Sequence, residues 1–172
     1  MDTLTKLPDR TAIREDWASG KYRHSCLLLL DLDLFQAYND HFGHTLGDTV
    51  LQKVASALAE VAKRYEGVVY RVGGDDFIVV VPNHESLNTH AIASDAQIAV
   101  HSMQIPFEHS EVLAKHEDYL TVSIGVACTE LTDAQSLEEI WERADKALYK
   151  AKNQRPGGIS FWSNDENSNG VN

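Results

Sequence analysis

"VVYRVGGDDFIVVV", residues 68–81, decides the architecture. Two runs rich in β-branched and aromatic residues flank Gly73-Gly74-Asp75-Asp76. They read as two strands joined by a tight hairpin, so part of the sheet is antiparallel. The tip carries two negative charges in a chain that is already acidic, with a formal net charge of −11.

Upstream, residues 24–34 hold the run Cys26 to Leu30, too short for a helix and bounded by polar residues. It reads as a buried strand. A short helix to about Ser19 precedes it, and a helix from Phe35 to His41 follows. Gly43 and Gly47 flank a turn. A long helix then runs to about Tyr65, with Val50, Leu51, Val54, Leu58 and Val61 on one stripe. Beyond the hairpin, residues 84–104 read as a helix and residues 105–117 as an irregular strand. Leu120 to Ala127 reads as a strand. Leu137, Ile140, Ala144, Leu148 and Ala151 mark a last amphipathic helix, ended by Gly157 and Gly158. Ile159 to Trp162 reads as an edge strand, and the polar residues 163–172 as a disordered tail.

The order α-β-α-α-β-β-α-β-α-β predicts an α/β fold of the α+β kind. Its central sheet is mixed and mainly antiparallel, with helices on its faces. A chain of 172 residues suits one domain, here residues 1–162. The acidic balance excludes a broad grip on nucleic-acid phosphates. The longest apolar run is too short to span a bilayer, and no signal peptide is visible. Cys26 and Cys128 both fall inside strand runs. They read as small buried hydrophobes in a reducing compartment, forming neither a disulfide nor a metal site.

Asp31 and Asp33 close the first strand, two apart and so on one face of it. A carboxylate next to a leucine run is costly unless paired or metal-bound. If that strand neighbours the hairpin, Asp31 approaches Asp75, and a divalent cation would remove the repulsion. All-oxygen ligation with few protein ligands suits Mg²⁺ held also by substrate phosphates. Gly73 and Gly74 would permit the turn and let a bulky ligand approach the backbone. The same four residues also make a good solvated turn, and Asp31 could cap the helix that follows.

At this point the motifs resemble a family. Gly73-Gly74-Asp75-Asp76-Phe77 resembles the signature of GGDEF domains, the diguanylate cyclases. Asp2-Thr3-Leu4-Thr5-Lys6-Leu7-Pro8-Asp9-Arg10 resembles the motif at the start of those domains. "DLDLFQAYNDHFGHTLGDTVL", residues 31–51, resembles their D-x-D-x-F-K-x-x-N-D-x-x-G-H-x-x-G-D pattern. Ser123 to Ala127 and "ADKALYKAK", residues 144–152, are similar to the late strand and final helix. The matches run in order from Asp2 to Lys152.

The resemblance implies a palm-like fold related to nucleotidyl cyclases. It implies condensation of two GTP into cyclic di-GMP and two pyrophosphates, across a transient homodimer. Asp31 and Asp75, with the Leu32 carbonyl, match the ligands of Mg²⁺ or Mn²⁺. Asp75 and Asp76 match the catalytic acids; Asp76 stands where the family has Glu, one methylene longer. Asn39 and Asp48 match the guanine-reading pair, and a carboxylate suits the two donors on guanine's Watson–Crick edge. Lys152 matches a phosphate-binding lysine. Gln36 replaces the phosphate lysine that follows the Phe, and Arg155-Pro156 replaces Gly-Arg after the last helix. His44 reads as a turn residue.

The family's inhibitory product site is R-x-x-D. Arg64 is present, but Gly67 holds the Asp position, so the site is incomplete. The resemblance implies an upstream sensor domain and a cytoplasmic location, with any membrane tether outside this segment. A degenerate domain that binds GTP without turnover, acting as a regulatory or dimerisation module, is the alternative.

Overall fold

The computed structural model describes residues 1–83, 89–107, 119–130, 135–154 and 157–164. The elements run α1 (Arg10–Ala18), β1 (Ser25–Leu32), α2 (Phe35–Phe42), α3 (His44–Arg64), β2 (Val68–Arg71) and β3 (Asp76–Pro82). They continue as α4 (Thr89–His101), β4 (Val122–Cys128), α5 (Leu137–Gln154) and β5 (Ile159–Phe161). This is the expected order. The five-stranded sheet is ordered β2-β3-β1-β4-β5. All neighbours are antiparallel except β4 and β5, which the α5 crossover joins in parallel.

β1 shows why its sequence is nearly all leucine. A strand sends alternate side chains to opposite faces. Leu28, Leu30 and Leu32 enter one core with residues of α2, α3 and α4. Leu27 and Leu29 enter a second core with Ile13 of α1 and with Ile140 and Leu148 of α5. Both faces are covered, so neither parity can be polar. Asp9 caps α1 by accepting from the Ala12 amide at 3.1 Å, which supplies one of the helix's unpaired donors with a partner. The Tyr70 hydroxyl of β2 donates to Asp16 of α1 at 2.5 Å and fastens that helix to the sheet.

Gly125 of β4 lies directly beneath α5. A Cβ there would collide with the Ala144 carbonyl and the Leu148 amide, so α5 rides on the backbone of β4. Just past the C-terminal end of β1, Leu34 takes a left-handed conformation (φ 55°) before α2. A branched side chain rarely adopts it.

Several sequence expectations change. The turn expected between Gly43 and Gly47 is the start of α3, which begins at His44 and has Gly47 inside it. Cys26 and Cys128 form a disulfide. The register sets them opposite each other on β1 and β4. The amide of Thr129 donates to the Ser25 carbonyl at 2.9 Å, so Cys26 and Cys128 fall at the adjacent non-hydrogen-bonded position, where side chains come closest. A separation of 102 residues hides this in the sequence. The helix expected over 84–104 is α4, Thr89–His101, and residues 84–88 lie outside the described residues. Of the irregular strand expected over 105–117, the described residues show a bridge of Pro106 with Tyr119; residues 108–118 lie outside the description, as do residues 165–172 of the tail expected over 163–172.

Candidate active site

The C-terminal end of β1 and the N-terminal end of β3 meet at the hairpin tip. Asp31 and Asp76 are register partners across the two strands, and the Leu32 amide donates to the Asp75 carbonyl at 3.4 Å. Asp31, Asp75 and Asp76 each turn one carboxylate oxygen inward, and these oxygens lie within 4.8 Å of one another. Burial, and then the charge of Asp31, push the Asp75 carboxyl up to about 6. Burial, Asp31 and then Asp75 push Asp76 up to about 7. Lys152 opposes both shifts, and its ammonium donates to Asp31 Oδ2. Asp31 Oδ1 is buried with no hydrogen-bond partner among the described residues. Half-buried, mutually repelling oxygens of this kind fit a hard divalent cation. The Leu32 side chain is buried at 1% exposure, so only its backbone could reach such an ion.

Asp33 does not join the cluster. β1 ends at Leu32, and beyond it the chain turns the Asp33 carboxylate away. It accepts from Thr121 Oγ1 at 2.7 Å, Ser123 Oγ at 2.6 Å and the Gly157 amide at 2.8 Å. It is buried and fully engaged in joining the end of β1 to β4 and to the segment after α5.

The amides of Val72 and Gly73 donate to the Asp76 carbonyl at 3.0 and 3.4 Å and close the hairpin. Neither Gly73 nor Gly74 has a left-handed φ, so the turn does not need glycine for its dihedrals. A Cβ at position 74 would meet nothing within 4 Å, whereas one at position 73 would lie 3.0 Å from Asp76 Oδ2, so it is Gly73 that leaves room for the Asp76 carboxylate. Arg71 holds the tip. Its guanidinium donates to both oxygens of Asp2 at 3.0–3.1 Å and to the Gly74 carbonyl at 2.8 Å. Asp2 also accepts from the Thr5 amide and hydroxyl. Burial works against its charge, but the hydrogen bonds from Thr5 and Arg71 hold the carboxyl below its usual value. The start of the chain is thereby tied to the tip of the hairpin. Sequence reasoning did not single out Arg71, although a charge inside the run Val-Val-Tyr-Arg-Val signals an obligatory partner.

A cleft of about 450 Å³ opens beside the acids, with Phe35, Asn39, Asp48, Leu51, Arg71 and Asp75 among its lining. Gln36 and His44 line it too; His44, expected as a turn residue, is instead the exposed first residue of α3. Asn39 Oδ1 is buried and has no partner among the described residues. It abuts Gly47 so closely that a Cβ there would overlap it. The structure thus brings Asn39, Asp48, Gln36 and Asp75 to one cleft, with Asp31 and Asp76 at its edge. Lys152 is nearby but bonded to Asp31. Arg155 lies outside the described residues. Arg64 stands apart at the end of α3, exposed, with Asp95 at 3.9 Å. At Gly67 a Cβ would lie 2.7 Å from Val81 Cγ1 and 3.0 Å from the Val80 carbonyl, so packing excludes a side chain there.

Comparison with known proteins bears on this arrangement. Residues 1–157 match the family described as "Diguanylate cyclase, GGDEF domain". The chain is 33% identical over 98% of its length to the bifunctional diguanylate cyclase/cyclic di-GMP phosphodiesterase MucR of Pseudomonas aeruginosa, covering 24% of that protein. It is 30% identical over 88% of its length to the diguanylate cyclase DgcZ of Escherichia coli, covering 50% of it. The chain therefore spans a quarter to a half of these relatives. Among solved structures, the coiled coil and GGDEF domain of DgcB from Caulobacter crescentus, in complex with c-di-GMP, superposes with a TM-score of 0.76 at 29% identity. That match covers 94% of this chain and 84% of the other. The active GGEEF domain of a diguanylate cyclase from Vibrio cholerae gives 0.73 at 26% identity, covering 92% and 99%. By fold, by the acids at the hairpin tip and by sequence along nearly its whole length, this chain belongs to the GGDEF domain family.

Proposed function

We propose that this domain is a diguanylate cyclase, joining two GTP into cyclic di-GMP with release of two pyrophosphates. The observation that carries the reading is the convergence of three carboxylates on the edge of a cleft that also holds Asn39 and Asp48. Asp31, Asp75 and the Leu32 carbonyl would hold Mg²⁺ or Mn²⁺. That ion, when bound, supplies positive charge at the α-phosphate and at the attacking oxygen. Asp48 accepts from guanine and Asn39 completes the contact with the base, which orients the nucleotide. Asp76 takes the proton of the ribose 3′-hydroxyl. The freed oxygen bonds to the α-phosphorus of the GTP held by a second domain, and the bond from that phosphorus to the pyrophosphate breaks. One domain holds one GTP, so the reaction needs a transient homodimer.

The phosphates have Lys152 and Arg155 as cations, while Gln36 contributes only hydrogen bonds. One charged hydrogen bond is worth about 1.5–3 kcal/mol, so the domain is a slow cyclase. Residues 1–162 act as one unit. An upstream sensor supplies the signal, and the substrate places the domain in the cytoplasm. The Cys26–Cys128 bridge is uncommon there. No helix among the described residues is long and apolar enough to cross a membrane. A second reading, nucleotide binding without turnover, is favoured by Gln36, by the short arm of Asp76 and by the engagement of Lys152 with Asp31.

Incubation with GTP and Mg²⁺ or Mn²⁺, followed by chromatography, decides between them. Cyclic di-GMP that disappears with Asp75→Ala supports the cyclase. Bound GTP with no product at high protein concentration supports the second reading.

A further inference from the structure

A cation of the chain itself already touches the acid cluster. The Lys152 ammonium donates to Asp31 Oδ2, while Asp31 Oδ1 is buried with no partner among the described residues. Lys152 is 37% exposed and Asp31 17%, so the pair sits at the rim of the cluster, open to exchange. The backbone beneath the lysine is well anchored. α5 rests on Gly125, and Asp33 and Gln97 hold Gly157 just after the helix. The mobile part is the four-carbon stem, which lets a fixed helix deliver one charge to either of two places.

The cluster carries three carboxylates. An ion that ligates Asp31 competes for the lone pairs that Lys152 holds, and it repels the ammonium at close range. The two cations therefore exclude each other on Asp31. Once displaced, the lysine head needs a new anion, which the triphosphate of a nucleotide in the adjoining cleft would supply. We propose that Lys152 is a tethered counter-cation, which holds Asp31 before the divalent ion arrives and passes to the nucleotide phosphates afterwards. This rests on the metal and nucleotide reading given above. It adds a consequence: ion and nucleotide bind with positive coupling, because each vacates or fills what the other needs.

The test measures Mn²⁺ binding by calorimetry or electron paramagnetic resonance, in wild type and Lys152→Gln. Each is measured alone and with a GTP analogue whose α,β-bridge is a methylene and so cannot react. Without nucleotide, Lys152→Gln should bind Mn²⁺ more tightly, by roughly 2- to 5-fold, the scale of one displaced and partly exposed ion pair. The analogue should tighten Mn²⁺ binding in wild type, and by a smaller factor in the variant. Lys152→Arg, which keeps the charge, should retain the coupling. Circular dichroism of each variant checks that the fold is unchanged. Equal or weaker Mn²⁺ binding by Lys152→Gln without nucleotide overturns the exchange, and so does undiminished coupling, while leaving the cyclase reading intact. Failure of Mn²⁺ to bind wild type with the analogue present would overturn both.

Discussion

Asp31 and Asp76 face each other across β1 and β3, as partners in the strand register. The sheet fixes their backbones opposite each other, so the repulsion between their carboxylates is a consequence of the fold.

Its first consequence is a dependence of stability on pH. A carboxyl whose value is raised in the folded state favours folding while protonated. That contribution is complete below the unfolded value of 3.8 and is lost as pH rises through about 6 for Asp75 and 7 for Asp76. Metal-free protein should therefore gain thermal stability from Asp76→Asn at pH 8 and little at pH 5. Melting curves in chelator check this; an equal gain at both pH values would contradict it. Mg²⁺ should raise the wild-type melting temperature more at pH 8 than at pH 5.

Gly47 and Asn39 give a test in which binding and stability part company. Gly47→Ala places a methyl against Asn39 Oδ1 and pushes that side chain from the cleft. Alanine is also a better helix former than glycine by about 1 kcal/mol. The expected result is GTP affinity reduced about tenfold, one lost hydrogen bond, with thermal stability unchanged or higher. Titration calorimetry beside a melting curve reads both.

Product inhibition should be weak. Arg64 is exposed and has Asp95 beside it, and Gly67 has no room for a carboxylate. Arg64→Ala should leave the response to added cyclic di-GMP unchanged. Gly67→Asp should destabilise the domain by about 1–3 kcal/mol through overpacking, without creating inhibition. Inhibition abolished by Arg64→Ala would show that a product site exists there.

The Cys26–Cys128 bridge should leave no titratable thiol in unfolded, unreduced protein, and two after reductant. Closing so long a loop is worth about 2–4 kcal/mol, so reduction should lower the melting temperature by several degrees. Two free thiols without reductant would remove the bridge.

Leu34 lies in the left-handed region and is 40% exposed. Leu34→Asn keeps that conformation at lower strain and should stabilise by about 0.5–1 kcal/mol. A shifted urea midpoint with an unchanged slope is the expected sign.

The element order was legible because each segment carries its own period. The unbroken apolar run of β1 and the stripe on α3 need no partner to be seen. The acids were legible for a different reason: a charge beside a leucine run has to be explained. What escaped depends on residues far apart in sequence. Asp33 shares the strand end with Asp31, yet its partners lie 88 and 90 positions away, at Thr121 and Ser123. Nothing local separates a carboxylate that will bind hydroxyls from one left to face other acids. The cysteines became partners only through the β1–β4 register. The glycines of the tip read as permitting the turn and as leaving room for a ligand; neither has a left-handed φ, and the close neighbour that a side chain would meet is the Asp76 carboxylate, at Gly73.

Gly125 sets the distance between α5 and β4, and Lys152 rides on α5. The reach of the lysine to Asp31 is therefore fixed by a residue with no side chain. A single methyl on that strand would lift the helix as a whole and carry the ammonium with it. Any substitution under α5 is in effect a change at the acid cluster, made without touching one of its carboxylates.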